Sequence, residues 1–374
     1  MPDRPNGNDD PKPLRLPPAW AVPPVLAGRN ALGRLHRNSM PPIVRVFETT
    51  FGFVEAKAVY LAAEFSFADL LADRPLDADT LARAAATDAD ATARLLRLLE
   101  ALGYFREDRD GRWRNTAMSE LLRSDRADSV REWVRFLCGP WHGEIWNHAA
   151  HSLRTGRSAS VEAYGVEYFD WLTAHPDAQA TFDAAMEQSS QLAGPSLVSG
   201  YDFSGARRIC DVGGGTGALL ATVLAANPSA EGVLFDLPEV IERAAPVLDA
   251  AGVQHRVESI GGSFFDAVPA GCDVYLLKAI LHDWADPECV TILSRIRAAS
   301  PGACVLVVDQ LMPTHHRPHP AKDSDLMMLV LTGSGRERTE AEFAALVARA
   351  GYRVNRVLPM PVIGVQELAP CSFS

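Results

Sequence analysis

The chain has 374 residues and a formal net charge of −11, with 47% hydrophobic and 22% charged residues. That length predicts two domains with sizeable cores. The acidic balance argues against a nucleic-acid surface, which needs a basic face. The six cysteines (138, 210, 272, 289, 304 and 371) form no C-x-x-C pair and several fall in strand-like runs. They read as reduced, buried thiols of a cytoplasmic protein, and neither a signal peptide nor a bilayer-length apolar run is read.

Residues 1–25, rich in Pro, Asp and Asn, read as a disordered tail. From Pro42 to Leu122 the pattern is helical with a terminal hairpin. Ala91–Leu102 sets Leu95, Leu98, Leu99 and Leu102 on one helical face, and Gly103 stops it. Y-F-R-E-D-R-D-G-R-W-R then predicts two short strands around an Asp110-Gly111 turn. Helices closed by such a wing resemble a winged-helix fold, here spanning 26–124. A DNA-binding wing is disfavoured by Asp88 and Asp90, which stand where a recognition helix needs Lys or Arg. Residues 125–200 read as a helical bridge dense in aromatics, among them Trp133, Trp141, Trp146, Tyr164, Phe169, Trp171 and Phe182. Such density suits a pocket for a flat ring, or packs two domains together.

The chain is organised around residues 208–236, within the domain expected over 201–370. Ile209, Cys210 and Val212 predict a buried strand, the glycines at 213, 214, 215 and 217 a tight turn, and Thr216–Ala226 a helix. Glycines let a ligand lie against backbone with no Cβ in the way. A second strand, Val233–Phe235, ends in Asp236, placed to bond the two hydroxyls of a ribose. The unit therefore binds a nucleoside-bearing molecule. Gly213-x-Gly215-x-x-Ala218 also fits the dinucleotide fingerprint. Further strands are predicted at Arg256–Ser259, Asp273–Lys278, Cys304–Asp309, Tyr352–Val357 and Val362–Glu367. They read as one sheet ending in a hairpin rather than two mononucleotide halves. Thr339 with Glu342 is a capping box for a last helix, Ala341–Ala350. The histidines of 313–322 sit in a Pro-rich stretch that reads as a surface loop, with no metal site.

D-V-G-G-G-T-G-A, F-D-L-P-E-V, L-K-A-I-L-H-D-W-A-D and G-R-E-R-T-E-A-E-F, in this order over roughly 30–368, resemble the class I S-adenosylmethionine-dependent O-methyltransferases of the plant caffeic-acid and bacterial polyketide-tailoring type. The resemblance implies an α/β fold: a Rossmann-like, mainly parallel sheet with a terminal antiparallel hairpin strand, plus a winged-helix dimerisation domain. It implies a cytoplasmic homodimer using S-adenosylmethionine and no metal, acting on a small aromatic natural product, without nucleic-acid or membrane partners. Asp211, Gly213, Gly215, Asp236, Leu237, Ser263, Phe264 and Lys278 match cofactor-binding positions. Ser263 stands where plant relatives often have Asp to hold the adenine amino group, leaving Phe264 to pack on the ring. Trp133, Trp146, Phe182, Met186, Asp283, Met328 and Thr332 are the acceptor-side candidates, Met186 and Met328 by likeness to substrate-sandwiching methionines.

His282 matches the family's general base, with Glu337 and Asp309 at the positions of its acidic partners. Asp309 is shorter than the Glu often found there, so Glu337 is expected to make the contact. An unperturbed phenol titrates near 10 and a histidine about 6.5, so proton transfer between them is uphill by roughly 5 kcal/mol. Acidic partners lessen that gap by raising the imidazole. Such a base favours a hydroxyl acceptor, since a carboxylate is already ionised and a neutral amine attacks with its lone pair. Alternatives are a member of the same family doing N-methylation or non-methylating chemistry (hydroxylation, decarboxylation, rearrangement), a winged-helix regulator, or a nicotinamide-dependent reductase.

Overall fold

The computed structural model describes residues 28, 31–33, 35, 36, 39–358 and 365–370. The expectation of a disordered tail at 1–25 and the strand positions 362–364 lie outside them.

The chain opens with α1, Pro42–Glu64, whose C-terminal end alone is buried, through Ala58, Val59, Ala62 and Ala63. Nearer its start, Ile43, Val46, Phe47, Phe51 and Phe53 stand exposed. Strand β1 (Leu76–Asp77), α2 (Ala78–Ala85), α3 (Ala89–Ala101) and strands β2 (Phe105–Glu107) and β3 (Arg112–Asn115) follow. The three strands make a small sheet of order β1-β3-β2. The buried face of α3 is Thr92, Leu96 and Leu99, with Leu95 and Leu98 only flanking it. The expected stripe was therefore rotated: Leu96, absent from it, packs against Trp113 and Phe105 in the same cluster. The hairpin turn spans Asp108–Gly111, because the Asp108 carboxylate accepts from the Asp110 and Arg112 amides and Gly111 takes φ 73°.

The aromatic stretch forms α4 (Arg131–Cys138), α5 (Pro140–Asn147), α6 (Tyr168–Thr173) and the long α7 (Pro176–Gly200). Here α7 touches α4 on one side and α8 (Ala218–Ala226) on the other. At Gly194 a Cβ would lie 2.7 Å from Thr222, so a glycine is what lets α7 and α8 close. Much of the aromatic density is structural. Tyr164 stacks on Trp171 at 4.5 Å, and Trp171 on His175 at 4.1 Å.

The main sheet has seven strands: β4 (Arg208–Val212), β5 (Glu231–Asp236), β6 (Val257–Gly261), β7 (Val274–Lys278), β8 (Cys304–Val308), β9 (Tyr352–Leu358) and β10 (Val365–Pro370). Their order is β6-β5-β4-β7-β8-β10-β9, with β10 antiparallel to both neighbours. The expected terminal hairpin strand is thus present. Parallel strands covered on both faces need apolar residues throughout, and all five residues of β7 are buried. Alternate residues feed opposite cores. Cys210, Tyr275, Leu277 and Val305 meet α9 (Asp286–Ala299) and α11 (Glu340–Arg349). Ile209, Val274, Leu276 and Leu306 meet α8.

Several boundaries differ from expectation by a residue or more. α8 starts at Ala218 rather than Thr216, because Gly217 is still turning at φ 85°. Arg256 precedes β6 in a short 3-10 turn, where its guanidinium bonds the carbonyls of Leu224, Asn227 and Ala230 and closes the end of α8. The stretch 313–322 is only partly loop, since Pro320 opens α10 (Pro320–Leu331) and His319 caps it. The Thr339–Glu342 capping box forms, on a helix starting at Glu340. Five free cysteines are described; Cys210, Cys272 and Cys289 are buried, whereas Cys138 and Cys304 are only partly so.

Candidate active site

Strand order reverses between β4, β5 and β7, so a crevice opens at the carboxyl ends of β4 and β7. The glycine turn lies there. Gly213 has φ 69°, and a Cβ on it would come 2.4 Å from Ile280 and 3.6 Å from Phe264. Phe264 is thereby placed beside the turn. Gly215 has φ 60° with open space where a Cβ would be, and its amide donates to Asp236 at 2.8 Å. The other Asp236 oxygen accepts from the Leu237 amide at 2.7 Å, so the acid at the tip of β5 is held by backbone and keeps spare lone pairs. Ser263 uses its hydroxyl to accept from Phe265.

Carboxylates crowd this edge. Asp211 is buried, one of its oxygens has no partner among the described residues, and burial, with Asp236, pushes its pKa up to about 7 against the pull of Lys278. Lys278 is buried too, and burial brings its ammonium down to about 8, opposed by Asp211, Asp309 and Asp283. Glycines that clear a surface, an orphaned buried carboxylate oxygen and a ribose-seeking acid fit a nucleoside whose other charge is positive. A pyrophosphate would meet repulsion from Asp211 and Asp236.

His282 enters from β7 through a sharp reversal. Ala279 sits at φ 54°, a left-handed conformation an alanine adopts only when its surroundings impose it. A 3-10 turn, Leu281–Asp283, follows and carries the imidazole. The segment 336–338 clamps that turn. Arg336 donates its amide to the His282 carbonyl at 2.7 Å. Buried Arg338 donates to the carbonyls of Leu281 (3.0 Å) and Trp284 (2.9 Å) and to Asp286 (3.0 Å). Glu337 Oε1 lies 2.9 Å from His282 Nδ1, with the Glu337 side chain 1% exposed. Ser324 and Asp325 of α10 secure Glu337. The Ser324 hydroxyl donates to Oε1 at 2.6 Å, and the Glu337 amide donates to Asp325 at 2.9 Å. Asp283 stands 3.6 Å from His282 Nε2. Burial alone would lower the imidazole, but Asp283, Asp309 and Glu337 outweigh it and lift His282 to about 10. Burial raises the carboxyl of Asp283 to about 7 and that of Asp309 upward, His282 opposing in both.

The structure brings together His282, Glu337, Asp309, Asp283, Lys278 and Asp211. On the acceptor side, Met328 is buried one turn beyond Ser324, on the same α10 face. Thr332 bonds the Met328 carbonyl and the Gly335 amide, and a Cβ on Gly335 would lie 2.5 Å from the His282 carbonyl. Phe182 packs against Phe136 and Tyr168, and Trp133 against Phe136. Met186 is half-buried on α7, and Trp146 is 38% exposed. Sequence reasoning missed Ser324, Asp325, Ala279 and Arg338. It also missed two links from α7 to the glycine domain, Asp183–Arg243 at 2.6 Å and Glu187–Thr216 at 3.2 Å. Arg338, Ala279 and Thr216 lay inside quoted motifs but were given no role there; Ser324, Asp325, Asp183, Glu187 and Arg243 carried no local signal.

A mainly parallel seven-stranded sheet, a glycine turn after its first strand and one antiparallel strand near its far edge are the architecture of a class I methyltransferase. Residues 146–353 match the model of the O-methyltransferase domain, and 47–125 that of the O-methyltransferase dimerisation domain. An O-demethylpuromycin-O-methyltransferase of Streptomyces alboniger is 40% identical over 323 residues, covering 85% of each chain. The solved mitomycin 7-O-methyltransferase is 35% identical with TM-score 0.80, covering 91% of this chain and 100% of that one. Human N-acetylserotonin methyltransferase, solved with S-adenosylmethionine, is 29% identical with TM-score 0.82, covering 90% and 99%. The chain belongs to this family of S-adenosylmethionine-dependent O-methyltransferases.

Among the described residues no group of three or more His, Cys, Asp or Glu is arranged to hold a metal ion. No described helix is long and apolar enough to cross a membrane.

Proposed function

We propose that this enzyme methylates a phenolic hydroxyl of an aromatic natural product, with His282 as the general base. The observation that carries the reading is the 2.9 Å contact between His282 Nδ1 and buried Glu337. Supporting it, relatives at this level of identity are named for O-methylation of puromycin and mitomycin precursors. Asp211, Gly213, Gly215, Asp236, Leu237, Ser263, Phe264 and Lys278 are assigned to the cofactor. Trp133, Trp146, Phe182, Met186, Asp283, Met328 and Thr332 are assigned to the acceptor. When bound, S-adenosylmethionine supplies an electrophilic methyl group together with its own leaving group.

With Nδ1–H donated to Glu337, the lone pair of Nε2 is free to take the acceptor's proton. The surrounding acids do the energetic work. Lifting His282 to about 10 brings its proton affinity level with that of a phenol, which removes the uphill gap. The same lift has a consequence for pH. Only the neutral imidazole accepts a proton, so the rate rises as pH climbs through its raised pKa. The rising limb of kcat against pH is therefore expected well alkaline of 6.5. Glu337→Gln removes one raising charge and should move that limb toward lower pH while lowering its plateau. A limb unmoved by Glu337→Gln would count against the dyad.

The reading as a whole is tested with deuteromethyl-labelled cofactor and parallel phenol, carboxylic acid and amine acceptors. One labelled methyl group on the phenol's oxygen is the expected product; labelling of the amine alone would reject it.

The proposed division is a dimerisation domain over 26–124, a bridge over 125–200 lining the acceptor pocket, and a cofactor domain over 201–370. A second copy is proposed to cover the exposed apolar side of α1, where Ile43, Phe47 and Phe51, spaced four apart, form a face too hydrophobic to stay in water. Free thiols support a reducing, cytoplasmic setting.

A further inference from the structure

A small, half-open recess lies where the end of β8 and the start of β10 meet the 336–338 segment. Its walls include His282, Asp309, Gln310, Glu337, Arg338 and Gln366, and its volume is about 10 Å³. That is room for about one water. Four buried side-chain oxygens of these residues have no hydrogen-bond partner among the described residues: Asp309 Oδ1, Gln310 Oε1, Glu337 Oε2 and Gln366 Oε1. A buried acceptor left unsatisfied loses its bond to water and gains nothing in return, so four in one place is an arrangement that calls for a donor.

The four are not equivalent. The amide of Gln310 can turn to present N–H instead of C=O, since oxygen and nitrogen exchange places in a flip. Gln366 already donates through Nε2 to the Asp309 carbonyl at 3.3 Å, which ties its orientation to the same wall. The two carboxylate oxygens are different, because an ionised carboxylate accepts and never donates. Two obligate acceptors, both buried and unpartnered on residues that line this small recess, match the two hydrogens of one water. A metal cation fits less well. Arg338 already contributes a fixed positive charge to the wall, and His282, raised by its acids, a second.

We propose that this space is a binding site for a single ordered water that donates to Asp309 Oδ1 and Glu337 Oε2, so that Asp309 is joined to the Glu337–His282 pair through solvent. Glu337 then carries His282 and Ser324 on one oxygen and the water on the other, which fixes the carboxylate's rotation. Asp309 becomes a positioning residue that acts on the imidazole at one remove. This second half rests on His282 being the base; the water site itself does not.

The test is a crystal structure of the full-length enzyme at a resolution that orders buried solvent, with Asp309→Asn and Asp309→Leu alongside. The wild-type map should show one peak within hydrogen-bond distance of both carboxylates. Asp309→Asn should keep the peak, and the rising limb of its pH–rate profile should move to lower pH by about 1 unit. Asp309→Leu should lose the peak. A wild-type map with no peak, or one touching neither oxygen, overturns the site whatever His282 does. A peak in place with the Asp309→Asn limb unmoved overturns the link to the histidine. Near-normal turnover of His282→Ala, with the peak present, would reject the base and leave the water standing.

Discussion

Replacing His282 with Ala is expected to lower kcat by about 10²- to 10⁴-fold when the two enzymes are compared at equal pH along the rising limb, the usual range for a lost general base. The substitution leaves the cofactor side intact, since Asp236 bonds the Gly215 and Leu237 amides and Gly213 bonds the Phe235 carbonyl rather than the imidazole. Calorimetry with S-adenosylhomocysteine should therefore give an affinity within a few-fold of the parent. A second signature separates a missing base from a damaged pocket. A phenol ionises by itself near pH 10, and the phenolate needs no base. The residual rate of His282→Ala should accordingly keep rising with pH toward that value. Near-parental turnover along that limb, or a residual rate flat with pH, would defeat the assignment.

Gly213→Val is expected to weaken cofactor binding by about 100-fold or more, roughly 2.7 kcal/mol. Two physical terms combine. A β-branched residue at φ 69° is strained, because its Cβ crowds the neighbouring carbonyl. The added Cβ would also lie 2.4 Å from Ile280, which joins β7 to the His282 turn. Gly215→Ala provides the control. Its φ of 60° brings about 1–2 kcal/mol of strain, but the position faces open space on the protein side. If calorimetry on folded protein, checked by circular dichroism, shows equal losses for the two variants, the collision with Ile280 is unimportant and backbone strain alone decides.

What could be read from the sequence was whatever a short stretch dictates on its own. The strands of the sheet announce themselves by runs of Val, Leu and Ile that are buried on both faces. The glycine turn does so because a residue without a Cβ takes its positive φ at 213, 215 and 217 without strain. The Thr339–Glu342 capping box is likewise a matter of residues three apart. Even Asp236 could be placed, since it ends β5, the next strand after that turn and its helix.

Elsewhere neighbours in space were not neighbours in sequence. Periodicity set Leu95, Leu98, Leu99 and Leu102 on one face of α3; Leu99 is buried, but Leu96 and Thr92 join it in place of Leu95 and Leu98, because the strands packed against the helix choose which side is inside. Glu337 was nominated through family likeness, yet its distance from His282, and the grip of Ser324 and Asp325 upon it, depend on α10 folding back across the end of the sheet. Fifty-five residues separate the imidazole from its acid. A local pattern encodes backbone conformation and an apolar side; it does not encode which distant side chain will share a buried space with another, and only the packed chain settles that.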